Sequence, residues 1–429
     1  MQQPELIPHL FRTEYRKIVS VLYNLFGIEH IEIAEDIASD TFLLATELWG
    51  LKGLPENPVA WLYIVAKNKT KDYLKRNAHF AQKIAKDIKY SSSTEGVLEI
   101  DLSGKNISDS QLAMMFAVCH PCISTEAQIA LSLHLLCGFG IEEISEAFLT
   151  NKEVIYKRIS RAKEKLRTEK VKIEQPTLSA ISDRLETVLT TLYLLFNEGY
   201  YSASQNKTIN KELCVEAMRL TFSLIENERT NKPAVNALLS LMCFHSSRFE
   251  ARTGLNGEII LYEDQDTNLW NQELIERGQY YLNLSSQGEQ VTKYHLEAAI
   301  AYWHTNKFDS PEKWENILRH YNNLLQIEYS PIAALNRTYA LAKAISSRHG
   351  AEENKSEQQG KRAAIVEAEK LNLAGNHLYH SLLGNLYSQL DNKKALQHFQ
   401  TAYDLAKSSA DKATIRINMD KLNMIKVDR

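Results

Sequence analysis

Apolar residues recur at helical spacing along nearly the whole chain. One stripe near the N-terminus places its members three and four positions apart, at Ile37, Thr41, Leu44, Ala45 and Leu48. This spacing is typical of an amphipathic helix that buries one face. The 429 residues include only 16 Gly and 9 Pro, so the chain lacks the many tight turns of an all-β sandwich or barrel. The pattern predicts an all-α fold.

Changes in composition divide the chain into successive blocks. The first helical block covers residues 1–79, a polar passage at 80–110 is predicted to be a flexible linker, and a second helical block covers 111–175. The remaining block, 176–429, contains helix after helix of 12–17 residues with short connections. Such a succession predicts an α-solenoid-like repeat domain.

The clearest internal repeat lies near the C-terminus. The run Leu383-Gly384-Asn385-Leu386-Tyr387 is followed by small and aromatic positions at Ala395, Phe399 and Ala402. It resembles the tetratricopeptide pattern, in which small and aromatic residues of two helices interlock, although Gly384 and Ala395 are one residue closer than in that pattern. The charged and Gln-rich segment 349–362 is predicted to be a mobile loop between repeats.

Net charge and hydropathy limit the classes of protein. The formal net charge is −3, so a nucleic-acid site must come from a local concentration of positive charge. The most apolar stretch, 129–141, is too short to span a bilayer, and residues 1–5 lack the order of a signal peptide. Five cysteines form no disulfide framework in so long a chain. We expect a cytoplasmic protein with no membrane contact.

Positive charge is concentrated in two places. The segments 67–89 and 150–172 each carry a balance of +6. A solvated helix face is the ordinary explanation of one such run. Two runs, each attached to a predicted helix, favour nucleic-acid binding because phosphate neutralisation needs clustered Lys and Arg.

The second basic run lies in a predicted helix-turn-helix. A helix at 125–136, a turn at 138–140 and a short helix at 141–148 precede a third helix, which is predicted to start with a capping box from Thr150 to Glu153. The core-facing stripe of this third helix is Ile155, Ile159, Ala162 and Leu166. The residues off the stripe are placed to face a major groove: Tyr156, Lys157, Ser160, Arg161 and Lys165.

The first basic run has aromatic residues at its start. Trp61 and Tyr63 precede Lys67 and Asn68, and aromatic rings beside positive charge suit unstacked bases and their phosphates. A role as core anchors is the alternative for both rings. The preceding helix carries an acidic cluster of Glu35, Asp36 and Asp40. This cluster is either a protein-docking face or a solvated face.

Together these segments resemble a known family. Residues 34–42 and 58–68 resemble region 2 of sigma-70 family initiation factors, most closely the extracytoplasmic-function type, and 156–163 resembles region 4. Residues 192–200 and 261–266 resemble the C-terminal extension of a subgroup that ends in a tetratricopeptide-like domain. The resemblance implies two small helical sigma domains followed by a regulatory helical repeat domain.

The resemblance also implies functional roles. The protein would be a non-enzymatic initiation factor without a cofactor, and its partners would be promoter DNA and core RNA polymerase, through the β′ clamp coiled coil and the β flap. The polymerase-binding residues would be Glu35, Asp36 and Asp40. The loop 50–57 would take a flipped base, and the −10 region would be bound by Asn57, Trp61, Lys67, Asn68, Lys71, Lys75 and Arg76. The −35 base edges would be read by Tyr156, Lys157, Ser160 and Arg161, with Arg158 and Lys165 on phosphates. The C-terminal repeats would bind a protein or peptide partner.

Other functions remain as alternatives. An operator-binding regulator with sensing repeats would explain the helix-turn-helix but would have no use for the strand-capturing segment 34–76. A helical-repeat enzyme would use the carboxylates of Glu198, Glu263, Asp264 and Asp266. A zinc site would need the ligands Cys119, Cys122, His134 and Cys137. The enzyme would leave both basic runs unexplained. The structural alternatives are that the carboxylates cap helices or pair with Arg248 and Arg252, and that the first two cysteines are partly buried thiols beside a helix start.

Overall fold

The computed structural model describes residue 7 and the ranges 10–76, 100–148, 150–201, 207–252, 254, 260, 262–306, 308–347, 353–407 and 409–427. Within these ranges every regular element is helical, so the predicted all-α fold is confirmed. None of the helices in this part of the chain is long and apolar enough to cross a membrane. Two compact units are present, one of residues 1–198 with 226–230 and one of residues 199–225 with 231–429.

The first unit begins with a π-helical turn and then alternates longer helices with short turns. A 3-10 turn at Ile28–His30 joins its first two helices, and α5 continues as a π-helical turn at Ser132–Leu136. Its helices are α1 (Arg16–Phe26), α2 (Ile31–Lys52), α3 (Pro58–Arg76), α4 (Gly104–Val118), α5 (Thr125–Leu131), α6 (Ile141–Ala147), α7 (Lys152–Thr168) and α8 (Leu178–Tyr201).

The turn between α2 and α3 is shorter than the predicted loop 50–57. Gly50 lies inside α2, because a helical glycine costs only about 1 kcal/mol and the buried ring of Trp49 anchors this last turn. The helix ends before Gly53, whose φ of 81° is a left-handed conformation that suits glycine. Helix α3 then starts where Asn57 Oδ1 accepts the backbone N–H of Ala60 at 3.0 Å.

The end of the predicted linker is ordered. Ile100 and Leu102 are buried against Val21 of α1, and the side chain of Ser103 caps α4 by accepting the backbone N–H of Asn106. The prediction of a linker through residue 110 is therefore wrong for 104–110, which are helical. Residues 77–99 of that passage lie outside the described residues.

Helices α5, α6 and α7 follow the predicted order. Gly138 makes the turn before α6 with a φ of 77°. The predicted capping box at Thr150 is wrong, because Asn151 is the cap and its Oδ1 accepts the backbone N–H of Glu153 at 2.9 Å. The predicted core stripe is confirmed, with all four side chains buried: Ile155, Ile159, Ala162 and Leu166.

In the second unit most described helices pack on their neighbours in sequence, as in repeat proteins. These helices are α9 (Lys207–Glu226), α10 (Pro233–Ser246), α11 (Phe249–Arg252), α12 (Gln272–Ser285), α13 (Lys293–His304), α14 (Pro311–Ile327), α15 (Pro331–Ser346), α16 (Glu353–Lys370), α17 (His377–Tyr387), α18 (Asn392–Leu405) and α19 (Ser409–Val427).

The repeat motif joins α17 to α18. A Cβ atom at Gly384 would lie 2.7 Å from the ring of Phe399, so a larger residue does not fit there. Ala395, Phe399 and Ala402 are all buried in the same cluster. The predicted interlock of small and aromatic residues is present, while the assignment to the tetratricopeptide class stays a prediction.

The predicted mobile loop at 349–362 is wrong for residues 353–362, which belong to α16. The Glu, Lys and Gln residues that suggest a loop are also strong helix formers. Two small residues let the helix approach α15 closely: Ser356 is buried, and a Cβ at Gly360 would collide with the Ala342 carbonyl oxygen. Residues 349–352 lie outside the described residues.

Candidate polymerase and nucleic-acid interface

Helix α3 presents most of its predicted −10 residues to solvent. Asn57 at its start and Asn68, Lys75 and Arg76 along it are exposed, while Lys67 and Lys71 are half-buried. The remainder of the first basic run, beyond Arg76, lies outside the described residues. The helix therefore offers a polar face with several cations.

The two aromatic residues of α3 have different surroundings. Tyr63 donates a hydrogen bond from its hydroxyl to Glu14 Oε2 at 2.7 Å, which fits the core-anchor alternative. Trp61 is half-buried, with its ring 5.3 Å from that of Trp49 in an edge-on arrangement. Trp61 is therefore partly exposed to solvent, unlike a fully buried core residue.

One exposed apolar side chain on α3 was not among the predicted site residues. Ile64 is 58% exposed and shares a helical face with Trp61, Asn68, Lys71 and Lys75, since these positions are three and four residues apart. Ile64 lies in an apolar run, Leu62 to Ala66. The hydropathy of this run gives no sign that the Ile64 side chain is exposed. The face combines an apolar patch with positive charge.

Helix α7 exposes the predicted −35 readers Tyr156, Lys157, Ser160 and Arg161. Arg158 is half-buried, as a side chain at the flank of the core stripe. Lys165 is exposed and forms an ion pair with Glu169 at 2.7 Å. The hydrogen bond and the negative charge from Glu169 raise the pKa of Lys165.

The three predicted polymerase-binding acids are not equivalent. Asp36 and Asp40 are exposed, and Asp40 lies 3.4 Å from Lys69. Glu35 instead accepts hydrogen bonds from Lys163 Nζ of α7 at 2.9 and 3.0 Å. His134 Nε2 of the π-helical turn lies 3.3 Å from the same carboxylate. One of the three acids is therefore engaged by the segment that resembles region 4.

The Glu35 carboxylate is strongly favoured in its charged form. Burial by itself raises the pKa of this group, but the hydrogen bonds and positive charges of His134 and Lys163 outweigh burial and lower the pKa from 4.5 to about 2. Lys163 is only 8% exposed, so the pair is largely withdrawn from solvent. Ion pairs in such surroundings are screened by salt much less than surface pairs.

A second contact lies one turn further along α7. Arg167 pairs with Glu32 of α2 and donates from Nε to the backbone carbonyl of Ile28 at 3.4 Å. No local pattern predicts these contacts, because more than a hundred residues separate the partners in sequence. We use the name latch for the four side chains that join α2 to α7: Glu32, Glu35, Lys163 and Arg167.

An open groove of about 580 Å³ lies beside the latch. Residues of α2 and α7 both line it, together with His134 and Ile141. From α7 the lining includes three of the predicted −35 readers, Tyr156, Ser160 and Arg161, and from α2 it includes Glu32 and Glu35. The base-reading side of α7 therefore faces the acidic side of α2.

The described residues do not favour a zinc site. No group of three or more His, Cys, Asp or Glu side chains in the described ranges is arranged to hold a metal ion. Cys119 is buried, and burial raises the pKa of its thiol to about 11. The ring of His134 is directed to the Phe139 carbonyl oxygen, at 3.0 Å from Nδ1, and to Glu35.

The carboxylates considered for catalysis are engaged in structural contacts. Glu263 pairs with Lys343 and accepts from the Tyr339 hydroxyl at 2.6 Å. Asp264 lies 3.0 Å from Lys421, and Asp266 caps the turn Thr267–Leu269. Pairing and capping are thus present, with lysines rather than the expected Arg248 and Arg252 as partners of the acids.

Comparison with known families identifies the N-terminal part. Residues 10–80 match the model for sigma-70 region 2, which covers α1, α2 and α3. Residues 184–286 match a family of unknown function, DUF6596. No solved structure matches the chain.

One relative covers nearly the whole chain. An uncharacterized protein of Rhizobium meliloti (strain 1021) is 30% identical over 402 residues, which is 92% of this chain and 90% of the relative. The chain belongs to the same family as this protein, and its N-terminal sigma-70 region 2 supports a sigma-70 family factor that acts in transcription initiation.

Proposed function

We propose that this protein is a sigma factor of the extracytoplasmic-function type. It binds core RNA polymerase and directs it to promoters by reading −35 and −10 elements and by stabilising the melted strand. The observation that carries the proposal is the coincidence of the region 2 match with one face of α3, where the half-buried Trp61 and Lys71 lie together with the exposed Asn68 and Lys75. An operator-binding protein has no need for such a face.

Strand capture is assigned to α3. Its Lys and Arg side chains neutralise phosphates, and the accessible part of Trp61 stacks on a base, which contributes about 1–3 kcal/mol per base. Stacking on Trp61 offsets the free-energy cost of unstacking a base, which is about a few kcal/mol. The five-residue turn Gly53–Asn57, shorter than the loop predicted from the sequence, is assigned to the flipped base.

Reading of the −35 element is assigned to the N-terminal half of α7. Tyr156, Lys157, Ser160 and Arg161 are exposed on it, and the N-terminal residues of a recognition helix contact base edges in the major groove. Arg158 and Lys165 are assigned to phosphates. Lys165 must release Glu169 to reach one, because the two form an ion pair.

Docking on polymerase is assigned to the acidic side of α2. Asp36 and Asp40 are exposed for a basic surface of the β′ clamp coiled coil, and the region 4 segment is assigned to the β flap. The second unit is assigned a regulatory role in cis, with a protein or peptide as its partner. Support for a repeat-type binding domain comes from its helices, which pack mainly on their neighbours in sequence.

Run-off transcription tests the proposal. Bacterial core polymerase, the full-length protein and a fragmented genomic library are expected to give transcripts that share a −35 and −10 pair upstream. Trp61→Ala is expected to reduce open complexes and Arg161→Ala to reduce −35 recognition. Sequence-specific duplex binding without any binding to core polymerase would contradict the proposal and would indicate an operator-binding regulator.

A further inference from the structure

We propose that the second unit contains a binding site for a small uncharged planar molecule of the amide type, one that carries both a carbonyl acceptor and an N–H donor. The site is an open cavity of about 340 Å³. One wall is the segment 262–270, called here the turn segment because it contains two 3-10 turns. The other walls come from the start of α14 and from α15, so the whole cavity lies in the second unit. This inference goes beyond the proposed function and does not depend on it.

The cavity has the size and the aromatic lining of a small-molecule site. Such sites are typically clefts of about 300–1,000 Å³, lined by apolar and aromatic side chains with a few polar groups. Here the lining includes the rings of Tyr262, Trp270 and Trp314. Trp270 and Trp314 are only 4% and 1% exposed, so both rings are held firmly by the surrounding protein. Rigid aromatic walls favour a flat ligand, because flat rings pack well against them.

The turn segment is held in place by side-chain contacts with two helices. Glu263 forms an ion pair with Lys343 of α15 and accepts a hydrogen bond from the Tyr339 hydroxyl at 2.6 Å. The Tyr262 hydroxyl accepts from Lys313 Nζ of α14 at 2.9 Å. A wall that is fixed in this way has little conformational freedom to lose when a ligand binds, which favours affinity.

Two buried polar atoms of the turn segment have no hydrogen-bond partner among the described residues. They are Nε1 of Trp270 and Oε1 of Gln265, and both side chains line the cavity. Gln265 Nε2 donates to the Ile260 carbonyl oxygen at 3.3 Å. Because a carbonyl oxygen can only accept, this contact fixes the orientation of the amide and leaves Oε1 as the unpartnered atom. Buried polar groups are nearly always paired in proteins, so two such atoms at one cavity indicate a ligand that pairs with them.

These two atoms determine the polar groups that the ligand must carry. The indole N–H of Trp270 can only donate and therefore requires an acceptor, whereas Oε1 of Gln265 can only accept and requires a donor. An amide supplies both, as its carbonyl oxygen and its N–H. The two atoms are covered by the wall itself, so binding includes a side-chain rotation that brings them to the ligand, as is common at binding surfaces.

The charges of the cavity favour an uncharged ligand. Its lining contains two lysines and two acids, arranged as the pair Lys313–Asp309 at 3.1 Å and the pair Lys343–Glu263. Burial by itself raises the pKa of Glu263, but hydrogen bonds from Lys343 and Tyr339 outweigh burial and hold the pKa below its usual value. Each lysine therefore has a charged partner, and a ligand ion would have to displace one at the cost of leaving a charge uncompensated.

Saturation-transfer NMR with the full-length protein tests the site with four small probes at neutral pH. Nicotinamide and uracil are uncharged flat amides. Nicotinate and 3-(aminomethyl)pyridine carry an anion and a cation on the same ring as nicotinamide. Nicotinate also tests whether Arg248, whose guanidinium carbon lies 5.6 Å from the centre of the Tyr262 ring, makes the cavity prefer an anion. At least one amide is expected to bind, and both ions are expected to bind about tenfold more weakly or not at all.

Three variants locate the binding in this cavity. Trp270→Phe is expected to weaken binding of the amide about tenfold, because it removes one hydrogen bond and keeps an aromatic ring. Trp303→Phe is the matched control and should bind as the wild type, since Trp303 is a half-buried tryptophan of the same unit outside the lining. Lys343→Met leaves the lining with an excess negative charge and should strengthen binding of 3-(aminomethyl)pyridine relative to nicotinate. Thermal unfolding shows whether each variant is folded, and the comparison of the four probes needs the wild type alone.

Three results would overturn the inference. The first is that neither amide binds the wild type with a dissociation constant below about 10 mM. The second is that one of the ions binds more tightly than both amides. The third is that a bound amide is equally affected by Trp270→Phe and Trp303→Phe in folded proteins. None of these measurements involves polymerase or promoter DNA, so a failure here leaves the proposed function standing, and its own failure in run-off transcription leaves the cavity test unchanged.

Discussion

Helices α3 and α7 each overlap a segment with an excess of positive charge, but they differ in which of their cations are accessible to solvent. Each belongs to a segment with a balance of +6. On α3, Lys75 and Arg76 are exposed and Lys69 lies 3.4 Å from the exposed Asp40 of α2. On α7, Lys157 and Arg161 are exposed, whereas Lys163 and Arg167 are bound to carboxylates of α2. A basic run therefore gives the number of cations in a segment, and partners distant in sequence decide which of them can meet a phosphate.

The largest expected effect is on the α3 side of this comparison. Trp61→Ala is expected to reduce open-complex formation by about ten- to a hundredfold, since a base loses a stacking partner worth about 1–3 kcal/mol. Permanganate reactivity of unpaired thymines measures the melted strand. Trp61→Phe is the control, because it keeps an aromatic face against Trp49. Unchanged permanganate reactivity in a folded Trp61→Ala protein would assign this ring to the core alone.

A comparable but more selective effect is expected on α7. Arg161→Ala is expected to cost about 1–3 kcal/mol at one base pair of the −35 element and to relax specificity there. Arg158→Ala is the comparison variant, since a phosphate contact weakens binding to all sequences and lowers the salt dependence by about one unit of slope. Holoenzyme binding to a set of −35 variants distinguishes the two. Equal losses on all sequences for Arg161→Ala would place that side chain on the backbone.

The latch gives a pH dependence of known sign. The folded-state pKa of Glu35 is lowered from 4.5 to about 2, so its contribution to stability is fully present above about pH 4.5 and is lost as the pH falls towards 2. The groups that face this carboxylate from other elements are His134, Lys163 and the phenols of Tyr15 and Tyr23.

Urea unfolding of the wild type and Glu35→Gln between pH 5 and pH 2 measures this contribution. The difference in unfolding free energy between the two proteins is expected to shrink as the pH falls. A difference that stayed constant over this range would mean that the Glu35 carboxylate is not held by the latch.

The smallest expected effects concern the first residues of the two helices. Asn57 caps α3 and Asn151 caps α7, each through its side-chain oxygen. Replacing either by Ala is expected to lower the unfolding free energy by about 1 kcal/mol. Asn57→Ala should also reduce transcription, since Asn57 is assigned to the −10 region, whereas Thr150→Ala should leave stability nearly unchanged. A larger loss for Thr150→Ala than for Asn151→Ala would restore the capping box predicted at Thr150.

The sequence predicts the elements of the first unit better than its contacts. Helical spacing identifies α2, α3 and α7, and the stripe from Ile155 to Leu166 is buried as expected. These features follow from periodicity within one helix. The pairing of Glu35 with Lys163 joins residues 128 positions apart, and no local pattern encodes such a pair.

Local sequence signals also give a wrong prediction where the same residue types are typical of two different structures. The charged segment that begins at Glu353 is helical because Glu, Lys and Gln favour helices as well as solvent. Gly50 ends no helix, although glycine often does, since Trp49 is buried beside it. In both places tertiary packing decides between two conformations that the sequence permits.

The most direct test of the account is promoter binding measured with and without core polymerase. Fluorescence anisotropy of a labelled promoter fragment is followed with the full-length protein alone, with core polymerase alone and with both. Sequence-specific binding is expected only when both are present, because the proposed function assigns promoter recognition to the complex with core polymerase. Specific binding by the protein alone, unchanged by core polymerase, would contradict the role as a sigma factor.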